Sequence, residues 1–236
     1  MKSTRVLGAL ALITFVGTIA LGLGLPATQE QATYARFVAI HPPLAWTAYL
    51  AFGVTAAASA LYLWPRTRKS RWDAVASSSA ELGVLFTALT LVTGSLWGRP
   101  TWGVFWVWDA RLTTTALMLV IYLGYLAQRS AIDAGPARAK RSAIVALLAV
   151  VVVPINHMAV EWWRTLHQGR SLATLNPSGQ LDSDFLAAML LGIAAMTLVY
   201  AWLLTVRTRV AEAEALDEAG ALDEALQARR REAVTP

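Results

Sequence analysis

The chain of 236 residues contains no cysteine. That absence excludes structural disulfides, thiolate nucleophiles, Cys-ligated zinc and iron–sulfur clusters. Charge is also scarce: 15% of residues are charged and 56% hydrophobic, whereas a soluble domain is about 25% charged. The polar fraction is too small to coat a soluble globule of this size. Histidine is rarer still, with three in the whole chain. Neither Gly-x-x-x-x-Gly-Lys-Ser/Thr nor His-Glu-x-x-His occurs, so ATP hydrolysis by this chain itself is not expected, nor is that zinc chemistry. No segment shows the strict alternation of a barrel strand.

What is present is a set of apolar runs. A bilayer core about 30 Å thick needs ~20 mostly apolar residues per spanning helix, and six stretches meet this: 6–25, 44–64, 74–97, 112–127, 142–160 and 185–206. The fourth is short for a span and can borrow Gln128 or the Thr113, Thr114, Thr115 turn. The expected fold is an all-α integral membrane protein with six transmembrane helices. Lys2 and Arg5 precede the first run as in a signal peptide, but the run is too long and Leu25-Pro26-Ala27-Thr28 is a poor cleavage site. It reads as a retained signal anchor.

Fifteen of the twenty Lys and Arg residues fall on one side: at the N-terminus, in the connections after the second and fourth runs, and beyond the sixth. Arg36, Arg99, Arg111, Arg164 and Arg170 fall on the other. The positive-inside rule therefore expects both termini in the cytoplasm. The pI of about 9.9 is then mostly topology, and nucleic acid loses its main support as a partner. After residue 206 the chain turns polar and holds seven of the fifteen acidic residues. Residues 1–206 thus read as a transmembrane domain and 207–236 as a charged cytoplasmic tail, either a solvated helical extension or a docking surface.

The outward connections are 26–43, 98–111 and 161–184. Trp97, Trp102, Trp106, Trp108, Trp162 and Trp163 lie at or beyond that face, more than an interfacial aromatic belt requires. The stretch 97–113, Trp-Gly-Arg-Pro-Thr-Trp-Gly-Val-Phe-Trp-Val-Trp-Asp-Ala-Arg-Leu-Thr, is the central feature. Gly98, Pro100 and Gly103 argue against a regular helix there, so a shaped outward loop or short interfacial helix is expected between helices three and four. Indoles over such a loop make a flat apolar platform with N–H donors at its edge, suited to a large planar hydrophobic ligand, and the nearby arginines can meet its anionic groups. Asp109 can pair with Arg111 or Arg99, or cap the following helix.

His41 and His167 flank that loop in sequence, and imidazoles from two separate loops can clamp a haem iron axially. His157 falls inside the outer third of the fifth run, where burial keeps an imidazole neutral; it reads as a packing or supporting residue rather than a ligand. Glu81 is the one acidic residue well inside an apolar run, a functional candidate by position, but it lies near enough to Asp73 to reach the interface and receives no role.

The stretch 97–113 resembles the tryptophan-rich "WWD" motif of haem-handling proteins. Its neighbours Val92-Thr93-Gly94-Ser95 and 161–169, Glu-Trp-Trp-Arg-Thr-Leu-His-Gln-Gly, are similar to those of the CcmC family, the haem-handling membrane proteins of bacterial cytochrome c maturation. The resemblance covers helices one to six. It implies that His41 and His167 are axial ligands of the haem iron, and that Trp97, Trp102, Trp106, Trp108, Asp109 and Arg111 form the platform. Phe105 departs from the pattern, since relatives often carry tryptophan there; His41-Pro42-Pro43 is a mild variation on a His-Val-Pro. The resemblance further implies a subunit, not an enzyme, that holds haem b as transient cargo at the outer face of the bacterial inner membrane. Implied partners are ABC-type ATPase and permease subunits, a small single-span subunit and a membrane-anchored haem chaperone. Two readings compete: a bis-His b-type cytochrome in electron transfer, and a solute permease. One outward histidine pair and sparse intramembrane charge fit both poorly.

Overall fold

The structure, a computed structural model, describes residues 2–29, 31–167 and 182–234. Arg170 and most of the third outward connection lie outside the described residues. Among the described residues seven α-helices follow one another: α1 (Lys2–Gly24), α2 (His41–Leu63), α3 (Ser70–Trp102), α4 (Ala110–Ser130), α5 (Pro136–Ala149), α6 (Val152–Trp162) and α7 (Ser183–Val234), with a 3-10 helix at Thr33–Ala39. Six helices are long and apolar enough to cross a membrane, α5 and α6 together making the fifth. All six apolar runs are therefore helical, and among the described residues no extended strand forms. The fourth span takes in both the threonine turn and Gln128, reaching 21 residues.

Backbone groups in a bilayer must be satisfied within the segment, which helices do. The hydroxyls inside the spans follow the same rule: Thr47, Thr55, Thr87 and Thr90 each donate to the carbonyl four residues back, at 2.7–2.9 Å. The α2–α3 hairpin is the most extensive helix pair. A Cβ at Gly83 would overlap the Phe52 ring, so glycine lets the aromatic side chain sit on the facing backbone. Phe52 also stacks on Tyr122 of α4 at 3.5 Å between ring centres. Ser79 Oγ donates to the Ala51 carbonyl at 2.7 Å and lies 2.7 Å from the Tyr200 hydroxyl, joining α2, α3 and α7 at a single atom. α1 packs on α7, with Gly8 against the Trp202 indole.

Two departures from expectation concern helix ends. α3 does not stop before the tryptophan stretch but runs through Gly98 and Pro100 to Trp102. Pro100 sits in the last turn, where its ring removes one backbone bond to Leu96 and the helix ends two residues later. Gly98 accepts the Trp102 ring one turn on, 3.0 Å from where a Cβ would be. Gly103 then closes the helix in the left-handed region at φ 80°, its N–H on the Arg99 carbonyl at 3.0 Å. Only 103–109 is loop. The fifth span breaks at Val150–Val151, because Pro154 cannot donate to the Val150 carbonyl and its ring crowds it. Val153 N–H takes that carbonyl instead, at 3.0 Å.

Carboxylates and arginines pair at the end of the bundle opposite His41. Arg129 holds Asp73 through two 2.7 Å bonds. Arg207 holds Glu81 at 2.6 and 3.1 Å and reaches Glu214 at 3.1 Å. Glu81 is thus one half of an ion pair. α7 continues unbroken past residue 206, and Glu218 meets Arg138 of α5 at 3.5 Å.

Candidate functional site

His41 is the first residue of α2. The prolines after it fall where helical N–H groups have no intrahelical partner, so they cost no bond and set the entry of the chain. His41 Nδ1 lies 3.1 Å from Thr93 Oγ1 on α3. The Thr93 hydroxyl spends its own proton on the carbonyls of Leu89 and Thr90, at 2.8 and 3.2 Å. It therefore accepts from His41, which places the imidazole proton on Nδ1 and leaves the lone pair on Nε2. Support at one ring nitrogen with the other bare is how metal-binding histidines are held. His41 Cε1 rests on Gly94, 2.9 Å from where a Cβ would stand.

Trp97 meets the His41 ring edge-on at 5.7 Å, stacks on Phe37 at 6.3 Å, and donates its indole N–H to Gln31 Oε1 at 3.1 Å. The 3-10 helix that supplies Phe37 is held down by Arg36, which donates to the Leu25 carbonyl at 2.8 Å, and by Gly192 of α7, where a Cβ would overlap the Ala39 carbonyl.

From the other side, His167 approaches the same point. Its ring centre is 6.4 Å from that of His41 and 6.2 Å from that of Trp102. Residues 165–167 are shaped by Asp109. One carboxylate oxygen caps α4, accepting from the Leu112 amide at 2.8 Å; the other accepts from the Thr165 hydroxyl and from the Leu166 amide at 3.2 Å. The Thr165 hydroxyl oxygen accepts in turn from the His167 amide at 3.0 Å. Of the roles open to Asp109 in the sequence, capping is the one observed. Arg99 instead donates to the Gly103 carbonyl and lies 5.6 Å over the Phe105 ring. That contact needs an aromatic face and no indole N–H. Arg111 donates to the carbonyls of Asn156 and His157, at 2.8 and 3.1 Å.

The structure therefore brings together His41, His167, Trp97 and Trp102. Trp106 and Trp108 form a separate edge-to-face pair at 5.4 Å, with Trp108 81% exposed. The Trp106 indole N–H is buried and without a partner among the described residues. His157 lies on α6, in the outer part of the fifth span as expected; its side chain is on the protein surface, with its ring 6.0 Å from that of Tyr49. Sequence reasoning missed Asn156. Asn156 is 1% exposed; its amide group reaches the Arg111 carbonyl at 3.2 Å and the Thr114 and Thr115 hydroxyl oxygens at 2.7 and 2.9 Å, and it accepts from the Tyr49 hydroxyl. An asparagine amid Val-Val-Val-Pro-Ile was the available signal.

The 6.4 Å spacing carries chemical meaning. Two imidazoles on opposite faces of one metal have ring centres about 6 Å apart, from metal–nitrogen bonds of about 2 Å plus the ring's own radius. The family described as Heme exporter protein C matches residues 1–219. The chain belongs to that family. It is 36% identical over 214 residues to Heme exporter protein C of Haemophilus influenzae, covering 87% of this chain and 86% of the relative. The Bradyrhizobium diazoefficiens protein of the same name is 37% identical over 205 residues, 84% and 75% of the two chains. A ccmC-like mitochondrial protein of cytochrome c biosynthesis from Marchantia polymorpha is 36% identical over 154 residues, 65% and 64% of the two chains. As a member of the heme exporter protein C family, the chain is a multi-pass membrane component of cytochrome c maturation that handles haem.

Proposed function

We propose that the chain holds haem at the outer face of the bacterial inner membrane, with the iron between His41 and His167, and passes it to a membrane-anchored haem chaperone. The 6.4 Å separation of the two imidazoles supports this reading most directly, and the bare Nε2 of His41 supports it independently. Trp97 and Trp102 stand beside the two rings as the inner part of the platform. Trp106, Trp108 and the Asp109-capped turn make its outer part, with Arg99, Arg111 and Arg164 nearest in sequence for the haem carboxylates.

The cytoplasmic placement of both termini, and of 207–236 as a tail, rests on the distribution of Lys and Arg. ABC-type ATPase and permease subunits and a small single-span subunit are the proposed partners, since release needs an Fe–N bond broken and this chain carries no phosphate-binding loop. The chain acts as a binding and transfer subunit, with haem b as passing cargo.

The deciding measurement is the haem spectrum of the purified protein. Wild type should show a six-coordinate low-spin haem; His41→Ala and His167→Ala should each lose it, and His157→Ala should keep it. Unchanged spectra in both outer variants would refute the ligand assignment.

A further inference from the structure

α6 is an eleven-residue segment cut off from α5 by the break at Val150–Val151 and packed chiefly against α4. Such an element needs fastening to hold its angle, and it leads directly to His167. Asn156 is its most deeply buried polar side chain and fastens it to two neighbouring helices. Its amide nitrogen bonds to the first two turns of α4, where the Thr114 and Thr115 hydroxyls spend their protons on the Ala110 and Arg111 carbonyls, at 2.6 and 2.7 Å. They can therefore only accept from Asn156. Tyr49 of α2 fills the amide oxygen, and Arg111 returns two bonds to the α6 backbone. The same α4 turn begins at Asp109, which grips Thr165 and Leu166. A closed path thus runs from Asn156 through the α4 turn and Asp109 to the backbone beside His167.

We infer that Asn156 is a positioning residue for the haem site, locking α6 to the α4 turn so that His167 stands opposite His41. The inference rests on the bis-histidine reading above. It also assigns different characters to the two ligands. His41 is built into the α2–α3 hairpin, whereas His167 follows α6 and the turn that Asp109 holds, so loosening Asn156 shifts His167 and leaves His41 in place.

A polar hub can be replaced at little cost when both partners become apolar together, so Asn156→Leu is paired with Asn156→Leu/Tyr49→Phe, which leaves no orphaned hydroxyl. The chain has no cysteine, so spin labels on Leu96→Cys and Leu166→Cys, both exposed, report the α3-to-165–167 distance in the haem-free full-length protein. The unmodified hub should give a single narrow distance distribution, and the double variant one about twice as wide. On adding haem, both hub variants should lose the low-spin spectrum and show a five-coordinate high-spin one, as His167→Ala does. A hub variant that keeps either the narrow distribution or the low-spin spectrum overturns the assignment. Should the wild-type spectrum itself not be six-coordinate low-spin, the bis-histidine reading fails, and the distance arm still judges the hub.

Discussion

Thr93 Oγ1 accepts the Nδ1 proton of His41 across 3.1 Å because its own proton is already committed to the α3 backbone. Removing that acceptor leaves the imidazole unanchored and lets it change tautomer. Thr93→Val keeps the shape and should weaken haem binding about 10–100-fold, the usual cost of losing such a support, with normal membrane levels. A haem titration of the purified protein measures it; equal affinity would remove Thr93 from the site.

Gly94 yields a prediction in which stability and binding separate. Within a helix, Gly→Ala gains roughly 0.5–1 kcal/mol, but a methyl group at 94 would stand 2.9 Å from His41 Cε1. Gly94→Ala should leave the thermal midpoint of the haem-free protein unchanged or higher while haem occupancy falls. Haem absorbance against protein, together with a melt in detergent, reads both.

The two ion pairs at the opposite end should differ in weight. Asp73 and Arg129 are mostly buried, with side chains 17% and 14% exposed, and breaking such a pair strands a charge at a cost of about 3–5 kcal/mol. Glu81 and Arg207 are about one-third exposed, and Glu214 remains to share Arg207, so the loss is about 1 kcal/mol or less. Asp73→Asn should therefore lower the denaturation midpoint far more than Glu81→Gln, with the haem spectrum intact in both. A reversed order in equilibrium unfolding would contradict this ranking.

The spans were legible because apolar composition alone decides which runs can sit in lipid. Helix ends were not. Pro100 breaks a helix interior, but in the last turn of α3 it removes one backbone bond and nothing more, so a rule about residue type failed on a question of position. The pairing of His41 with His167 was legible from flanking motifs. The bonding of Asn156 was not, since its partners lie 41–45 residues away on α4 and 107 away at Tyr49.

A histidine held as His41 is, with its proton turned toward Thr93 and its lone pair turned away, behaves as a fixed Lewis base. It can satisfy an electron-pair acceptor and cannot donate to anything in front of it. On the proposed bis-histidine reading, discrimination at that position follows the metal at the centre of the macrocycle more than the macrocycle itself. A porphyrin lacking its iron would meet the same aromatic walls and lose the interaction that orders the two faces.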